Sequence, residues 1–164
     1  MAMSFKGAHF PQDIILMGMR WYLAYPLSYR HVEELMEERG VPVDHATIQR
    51  WVVKYSPQLE EAFHRRKRPV WVSWRMDETY IRYNEEHGTA IVIRQVKYLN
   101  NVVEQDHRAV KRVTRPMLGF KAFEAAQDTL VGIELIHMIK KRQMRMEAGD
   151  EGRTAAELFY SLAA

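Results

Sequence analysis

The sequence predicts a mostly α-helical fold with a small antiparallel β remnant, on three observations. Apolar residues recur at helical spacing through the first 66 residues and again after Asn101, with capping residues between the runs. Only 70-VWVSWRMDETYIRY-83 and 89-TAIVIRQV-96 break the pattern, with β-branched and aromatic residues in partial alternation. The connector between those two is too short for a parallel crossover, which needs about a dozen residues, so they can pair only as a hairpin turning at 84-NEEHG-88. A lone hairpin is marginal in water and is expected to pack on the helices.

Each element follows from local signals. Residues 12-QDIILMGMRWYLAY-25 carry a stripe at 14, 17, 21 and 22, and Pro26 stops it. Ser28 caps a second helix, 29-YRHVEELMEER-39, whose positions 32, 35 and 36 share a face, and Gly40 supplies a left-handed stop. After 41-VPV-43, Asp44 caps a third helix, 45-HATIQRWVVKY-55, with Ile48, Trp51, Val52 and Tyr55 pointing inward. Ser56-Pro57 is expected to end it and begin a fourth helix running into 64-HRRKR-68. Helical pattern resumes at Asn101, breaks at Pro116 to Gly119, and returns as a long helix over 120–144. Residues 147-EAGDEGR-153 read as a flexible linker, and 154-TAAELFYSLA-163 as a short apolar helix that must dock on something.

Composition narrows the class. A chain of 164 residues with 47% hydrophobic content has room for one ordinary domain or two small ones, and disorder throughout is excluded. The absence of cysteine excludes disulfides and thiolate metal sites. No apolar run approaches the ~20 residues of a membrane-spanning helix, and the N-terminal residues lack the order of a signal peptide. A cytoplasmic bacterial-type protein is expected. The net charge is only +3, but bases cluster in 64-HRRKR-68, 107-HRAVKRVTR-115 and 140-KKRQMR-145, an arrangement that suits a phosphate backbone as well as solvated helix ends.

Candidate functional residues fall in two groups. Helices 29–39 and 45–55, separated by 40-GVPVD-44, have the proportions of a helix-turn-helix, in which the second helix presents its N-terminal residues to base edges. The exposed set would be His45, Ala46, Thr47, Gln49, Arg50 and Lys54; Gln and Arg can pair with adenine or guanine edges, and Lys54 can reach a phosphate. On spacing alone an ordinary helical hairpin with a polar outer face is the better fit. In the second group, Asp77 sits on the first predicted strand, and Glu104, Arg108 and Lys111 follow i, i+4, i+7 spacing on one helix. An exposed edge acid and a salt-bridged surface helix are the plain alternatives. Asp106 and His107 are adjacent on a helix and diverge, so they are discounted as metal ligands.

Three separated stretches carry a resemblance: 27-LSYRHVEELMEERGVPVDHATIQRWVVKYSPQL-59, 73-SWRMDETYI-81 and 97-KYLNNVVEQDHRAVKRVTRPMLGFKAF-123. Together they resemble the insertion-sequence-six family of transposases, DDE recombinases of bacterial mobile elements, over most of the chain from Phe5 to Gln143. The resemblance implies a helix-turn-helix domain at 1–66, a truncated RNase H-like (α/β) catalytic domain at 67–146, and a linker with a C-terminal helix at 147–164. It implies duplex DNA carrying terminal inverted repeats as partner, and a homo-oligomer or a mixed oligomer with intact transposase.

The resemblance also implies that Asp77 matches the first catalytic and metal-binding acid, and Glu104 with Lys111 the closing Glu-x6-Lys signature. Lys111 would contact DNA phosphate near the scissile site; Arg108, beside it by helical spacing, is a second cation able to hold phosphate. In such enzymes two Mg2+ ions held by three carboxylates drive in-line attack at phosphorus, and hard oxygen donors are what Mg2+ requires. The family expects a block of strands, a helix and a second aspartate between the strand bearing Asp77 and 90-AIVIRQV-96. Here Ile81 and Arg82 run almost directly into 84-NEEHGTA-90, so the chain reads as internally deleted in frame, with DNA binding retained and strand transfer lost. The alternative is a non-enzymatic DNA-binding remnant that competes with intact transposase for inverted repeats. A transcription regulator with an unrelated C-terminal half is disfavoured by the glutamate motif.

Overall fold

A computed structural model describes residues 4–69, 97–117, 119–120 and 122–163, with the side chains of 97–104 and 106 left aside. The described residues are mostly helical and contain no strand. The predicted hairpin over 70–96 lies outside them. The chain divides into two compact units, Met1–Arg68 with Arg112–Ala164, and Pro69–Lys111.

The first unit begins with α1 (Gln12–Ala24), α2 (Tyr29–Glu37) and α3 (His45–Arg66). The predicted caps form. Ser28 Oγ accepts from His31 N–H at 3.2 Å while His31 Nδ1 accepts from Ser28 N–H at 3.3 Å, and Asp44 Oδ2 accepts from Ala46 N–H at 3.0 Å. Gly40 takes φ +76°, a conformation that favours a residue without Cβ, and Val41 N–H closes back on Met36 O at 2.9 Å.

The buried face of α1 differs from the predicted stripe. Ile15, Leu16, Met19, Tyr22 and Leu23 are buried, whereas Ile14, Met17 and Trp21 are half-exposed. A single stripe suits a helix packed on one side, but α1 touches α2, α3 and two later helices, so its apolar surface had no unique face to read.

The third helix does not end at Pro57. It runs unbroken for 22 residues, and Leu59 and Phe63, in the part expected to be a separate helix, are fully buried. Proline inside a helix costs about 3 kcal/mol, but burying Leu59 and Phe63 stabilises by ~1.5–3 kcal/mol each. Tertiary packing outweighs the local signal.

Helix α4 (Lys97–Thr114) starts four residues before the expected Asn101 and runs from the second unit into the first, where a 3-10 turn at Arg115–Met117, α5 (Phe123–Lys140) and α6 (Ala155–Ser161) follow. Helix α5 lies against α3 and α1, and α6 docks on α5 and α1. Residues far apart in sequence thus share one core, in which Leu135 and Ile139 of α5 and Phe159 of α6 join Met19, Leu23 and Leu59. The approach of α5 is closest at Gly132, where an added Cβ would stand 2.7 Å from Ser56 Oγ and 2.8 Å from both Leu23 δ-methyls.

Helix α5 is shorter than the predicted 120–144. It closes at Arg142, with Arg142 N–H on Ile139 O at 2.9 Å and Gln143 N–H on Met138 O at 3.1 Å. The stretch expected as a flexible linker, 147–153, is a hydrogen-bonded turn. Asp150 is buried, accepts from Glu147 N–H at 3.0 Å, and pairs with Arg66 and with Arg153 at 3.0 Å. Glycines in 147-EAGDEGR-153 suggest mobility, but the arginine that immobilises the turn comes from α3, beyond the reach of any local pattern. Among the described residues no helix is long and apolar enough to cross a membrane.

Candidate nucleic-acid interface

The α2–turn–α3 segment is held from beneath. Val32, Met36, Val43, Ile48 and Val52 are buried, which fixes the path of the turn and leaves the first turns of α3 facing outward. Gln49, Arg50 and Lys54 are exposed, and His45, Ala46 and Thr47 are half-exposed, so the side chains named from the sequence are available on one stretch of helix.

Their present partners are weak and local. Arg50 lies along the helix, with Nε donating to Ala46 O at 3.2 Å and Nη2 to Thr47 Oγ1 at 2.9 Å. Exposed hydrogen bonds of this kind contribute about 1 kcal/mol or less, little enough for the guanidinium to swing away from the helix. Lys54 Nζ sits 4.9 Å from the Tyr55 ring centroid, and Gln58 Nε2 donates to Lys54 O at 2.8 Å.

His45 is the most constrained of the set. Its Nδ1 stands 3.0 Å from Glu33 Oε2 on α2 and 3.0 Å from Asp44 Oδ1. The contact ties α2 to the start of α3 and fixes the ring plane. Sequence reasoning missed Glu33, and spacing could not have found it, since the partners are 12 residues apart on different helices. Among the described residues, Glu33, Asp44 and His45 are also a group whose ligand atoms lie close enough to surround a cation. They stand at the positive end of α3, where the helix dipole opposes a cation and favours the carboxylates themselves. The arrangement is that of a hydrogen-bonded clamp.

The acid group is described only in part. Asp77 lies outside the described residues. Glu104 lies within α4 by its backbone, and the same helix carries Arg108 and Lys111, both exposed. Positions 104, 108 and 111 therefore do have the helical spacing that groups them on one side. Whether Asp77 and Glu104 meet falls outside the described residues.

Comparison with known proteins assigns the class. The family model described as a DDE domain, of the IS240 transposase type, matches residues 86–143, a span that holds Glu104 and Lys111. A transposase for the insertion sequence-like element IS431mec of Staphylococcus aureus (strain Mu50 / ATCC 700699) is 28% identical over 206 residues, covering 86% of this chain and 90% of that protein. The transposase for insertion sequence element IS257 in transposon Tn4003 of Staphylococcus aureus is 27% identical over the same extent. No solved structure matches. By these matches the chain is similar to insertion-sequence transposases and to their DDE domain. These similarities support an insertion-sequence-six family transposase. The DDE domain implies a divalent metal in that family.

The alignment has one further property. Because 86% of 164 residues is about 141, roughly 65 of the 206 aligned positions have no residue in this chain.

Proposed function

We propose that this chain binds duplex DNA at the terminal inverted repeats of its element through the N-terminal part of α3, and that it does not carry out strand transfer. The observation that carries the second half is the roughly 65 aligned positions of the relatives that have no counterpart here. A gap of that size fits the missing block between Asp77 and the segment 90–96, and the DDE match likewise begins at residue 86, after Asp77. The carboxylates that remain, Asp77 and Glu104, are of the right chemistry for Mg2+ but one short of the three that a two-metal site uses. Lys111 and Arg108 would then serve to hold phosphate.

The first half is supported by how complete the α1–α3 region is: both caps are made, the turn glycine has its left-handed conformation, and the outward face carries Gln49, Arg50 and Lys54. The caps and the turn are made by residues of 28–46 alone. A protein that keeps the DNA reader and lacks the catalyst would occupy inverted repeats and compete with intact transposase, alone or in mixed oligomers. The test is direct. Purified chain is mixed with element-end duplex and with a scrambled duplex of equal length, and binding is measured together with Mg2+-dependent nicking. Preferential binding without nicking is expected; equal binding to both duplexes, or nicking that is lost in Asp77→Ala, overturns the corresponding half.

A further inference from the structure

The basic clusters 64-HRRKR-68 and 140-KKRQMR-145 are far apart in sequence, and α3 and α5 deliver them to one place. An antiparallel bridge joins Lys67 to Met144. Arg68 N–H donates to Gln143 O at 2.9 Å, Arg145 N–H donates to Arg66 O at 2.6 Å, and Arg68 Nε donates to Met144 O at 3.1 Å. Met144 is buried, so the pairing is anchored to the core.

The charges at this bridge divide into two sets. Arg66 faces inward and is neutralised by Asp150 and by Glu147 Oε1 at 3.1 Å. Arg142 and Arg145 are exposed and Lys67 is half-exposed, and none of these three pairs with a carboxylate among the described residues. Cations at the ends of α3 and α5 are favoured by the helix dipoles. That accounts for Lys140 but not for Arg145, which lies beyond the end of α5.

Arg142 adds an independent observation. It holds φ +55°, the left-handed region, at the position after a helix end that glycine usually fills. Backbone geometry there would suit glycine, and the residue present instead carries an exposed guanidinium.

We propose that Lys67, Arg142 and Arg145 form a sequence-independent phosphate-binding ridge for duplex DNA, separate from the reader at the start of α3. The proposal rests on the DNA-binding reading for the kind of polyanion it takes. Helix α3 has 22 residues and spans about 33 Å at 1.5 Å per residue, so reader and ridge stand at its opposite ends. The ridge therefore contacts backbone that the reader does not, and it adds affinity without adding sequence preference.

The test uses the full chain with a random-sequence duplex and an element-end duplex, titrated across a series of salt concentrations. The variant is Lys67→Gln/Arg142→Gly/Arg145→Gln. Each lost phosphate contact should reduce the slope of log affinity against log salt by about 0.9, giving a fall of roughly 2–3 on both duplexes. The ratio between the duplexes should stay as in the wild type. Arg50→Ala should do the reverse, collapsing the ratio with little change in slope. Arg142→Gly alone relaxes the left-handed residue, so it should melt no lower than wild type while still binding random duplex more weakly. An unchanged slope in the triple variant overturns the ridge and leaves the reader standing. Salt-dependent wild-type binding without preference for element ends, lost in the triple variant, supports the ridge and overturns the reader. No duplex binding by wild type at low salt overturns both.

Discussion

Replacing Gly132 with alanine tests whether α5 seals the core against the N-terminal helices. The new methyl carbon would lie 2.7 Å from Ser56 Oγ and 2.8 Å from Leu23 Cδ1 and Cδ2, against the ~3.5–4.0 Å at which such atoms attract. Leu23 and Ser56 are both buried, so both side chains must shift within the core to admit the methyl. Overpacking of this kind costs about 1–3 kcal/mol, and the better helix propensity of alanine returns up to ~1 kcal/mol. A net loss of about 1–2 kcal/mol is expected, which lowers the melting temperature by roughly 2–8 °C in a chain of this size. Thermal denaturation followed by circular dichroism measures it. Leu23→Ala should lose about 2–5 kcal/mol by leaving a cavity, and the double variant should be less damaged than the sum, because the new methyl enters the space vacated. If Gly132→Ala melts at or above wild type, as replacement of a solvent-facing helical glycine would, the packing of α5 on α1 and α3 is refuted.

The remaining expectations concern the reader, the catalyst and the C-terminal turn. Arg50→Ala should cost about 1–3 kcal/mol of discrimination at one base position of an element end, read by competition among single-base variants of the duplex; a uniform loss across all variants would make Arg50 a phosphate contact instead. Purified chain should show no Mg2+-dependent strand transfer even at high enzyme concentration, and a product joined to target DNA would show that two carboxylates suffice. The hydrogen bond from Glu147 N–H, then Arg66 and Arg153, hold the Asp150 carboxyl below its ordinary range. A depressed folded-state value means that its contribution is complete above an unfolded carboxylate value of about 4 and is lost as pH falls through the folded one. The melting temperatures of wild type and Asp150→Asn should therefore converge as pH drops below about 4, and a gap independent of pH would mean that the carboxylate's charge is not what holds the turn.

What could be read from the sequence was what local chemistry decides. Ser28, Gly40 and Asp44 mark their helix boundaries because a cap is a contact between neighbours in the chain. Ile48, Trp51, Val52 and Tyr55 were placed correctly because α3 has a single dominant buried face there. The same logic failed at Pro57, where a local penalty was overruled by Leu59 and Phe63 packing on distant partners, and along α1, which is packed on several sides. It could not see Arg66 with Asp150, 84 residues apart, or Glu33 with His45. The proposed reader residues were named by type and spacing, and local periodicity is enough to put Gln49, Arg50 and Lys54 on the exposed side of α3. The acids Asp77 and Glu104 rest on the family motif, since no spacing rule connects residues on separate elements.

That α5 and α6 complete the core begun by α1–α3 has a consequence for chain topology. The helical unit is left at Arg68 and re-entered at Arg112, so everything between is, to that unit, a single closed loop. The entropy of closing a loop grows only with the logarithm of its length, about 0.6 kcal/mol for each doubling. Shortening Pro69–Lys111 from a length greater by roughly 65 positions would change that cost by less than about 1 kcal/mol, and in the favourable direction. A chain built this way can lose residues between Arg68 and Arg112 while the helical unit keeps its stability.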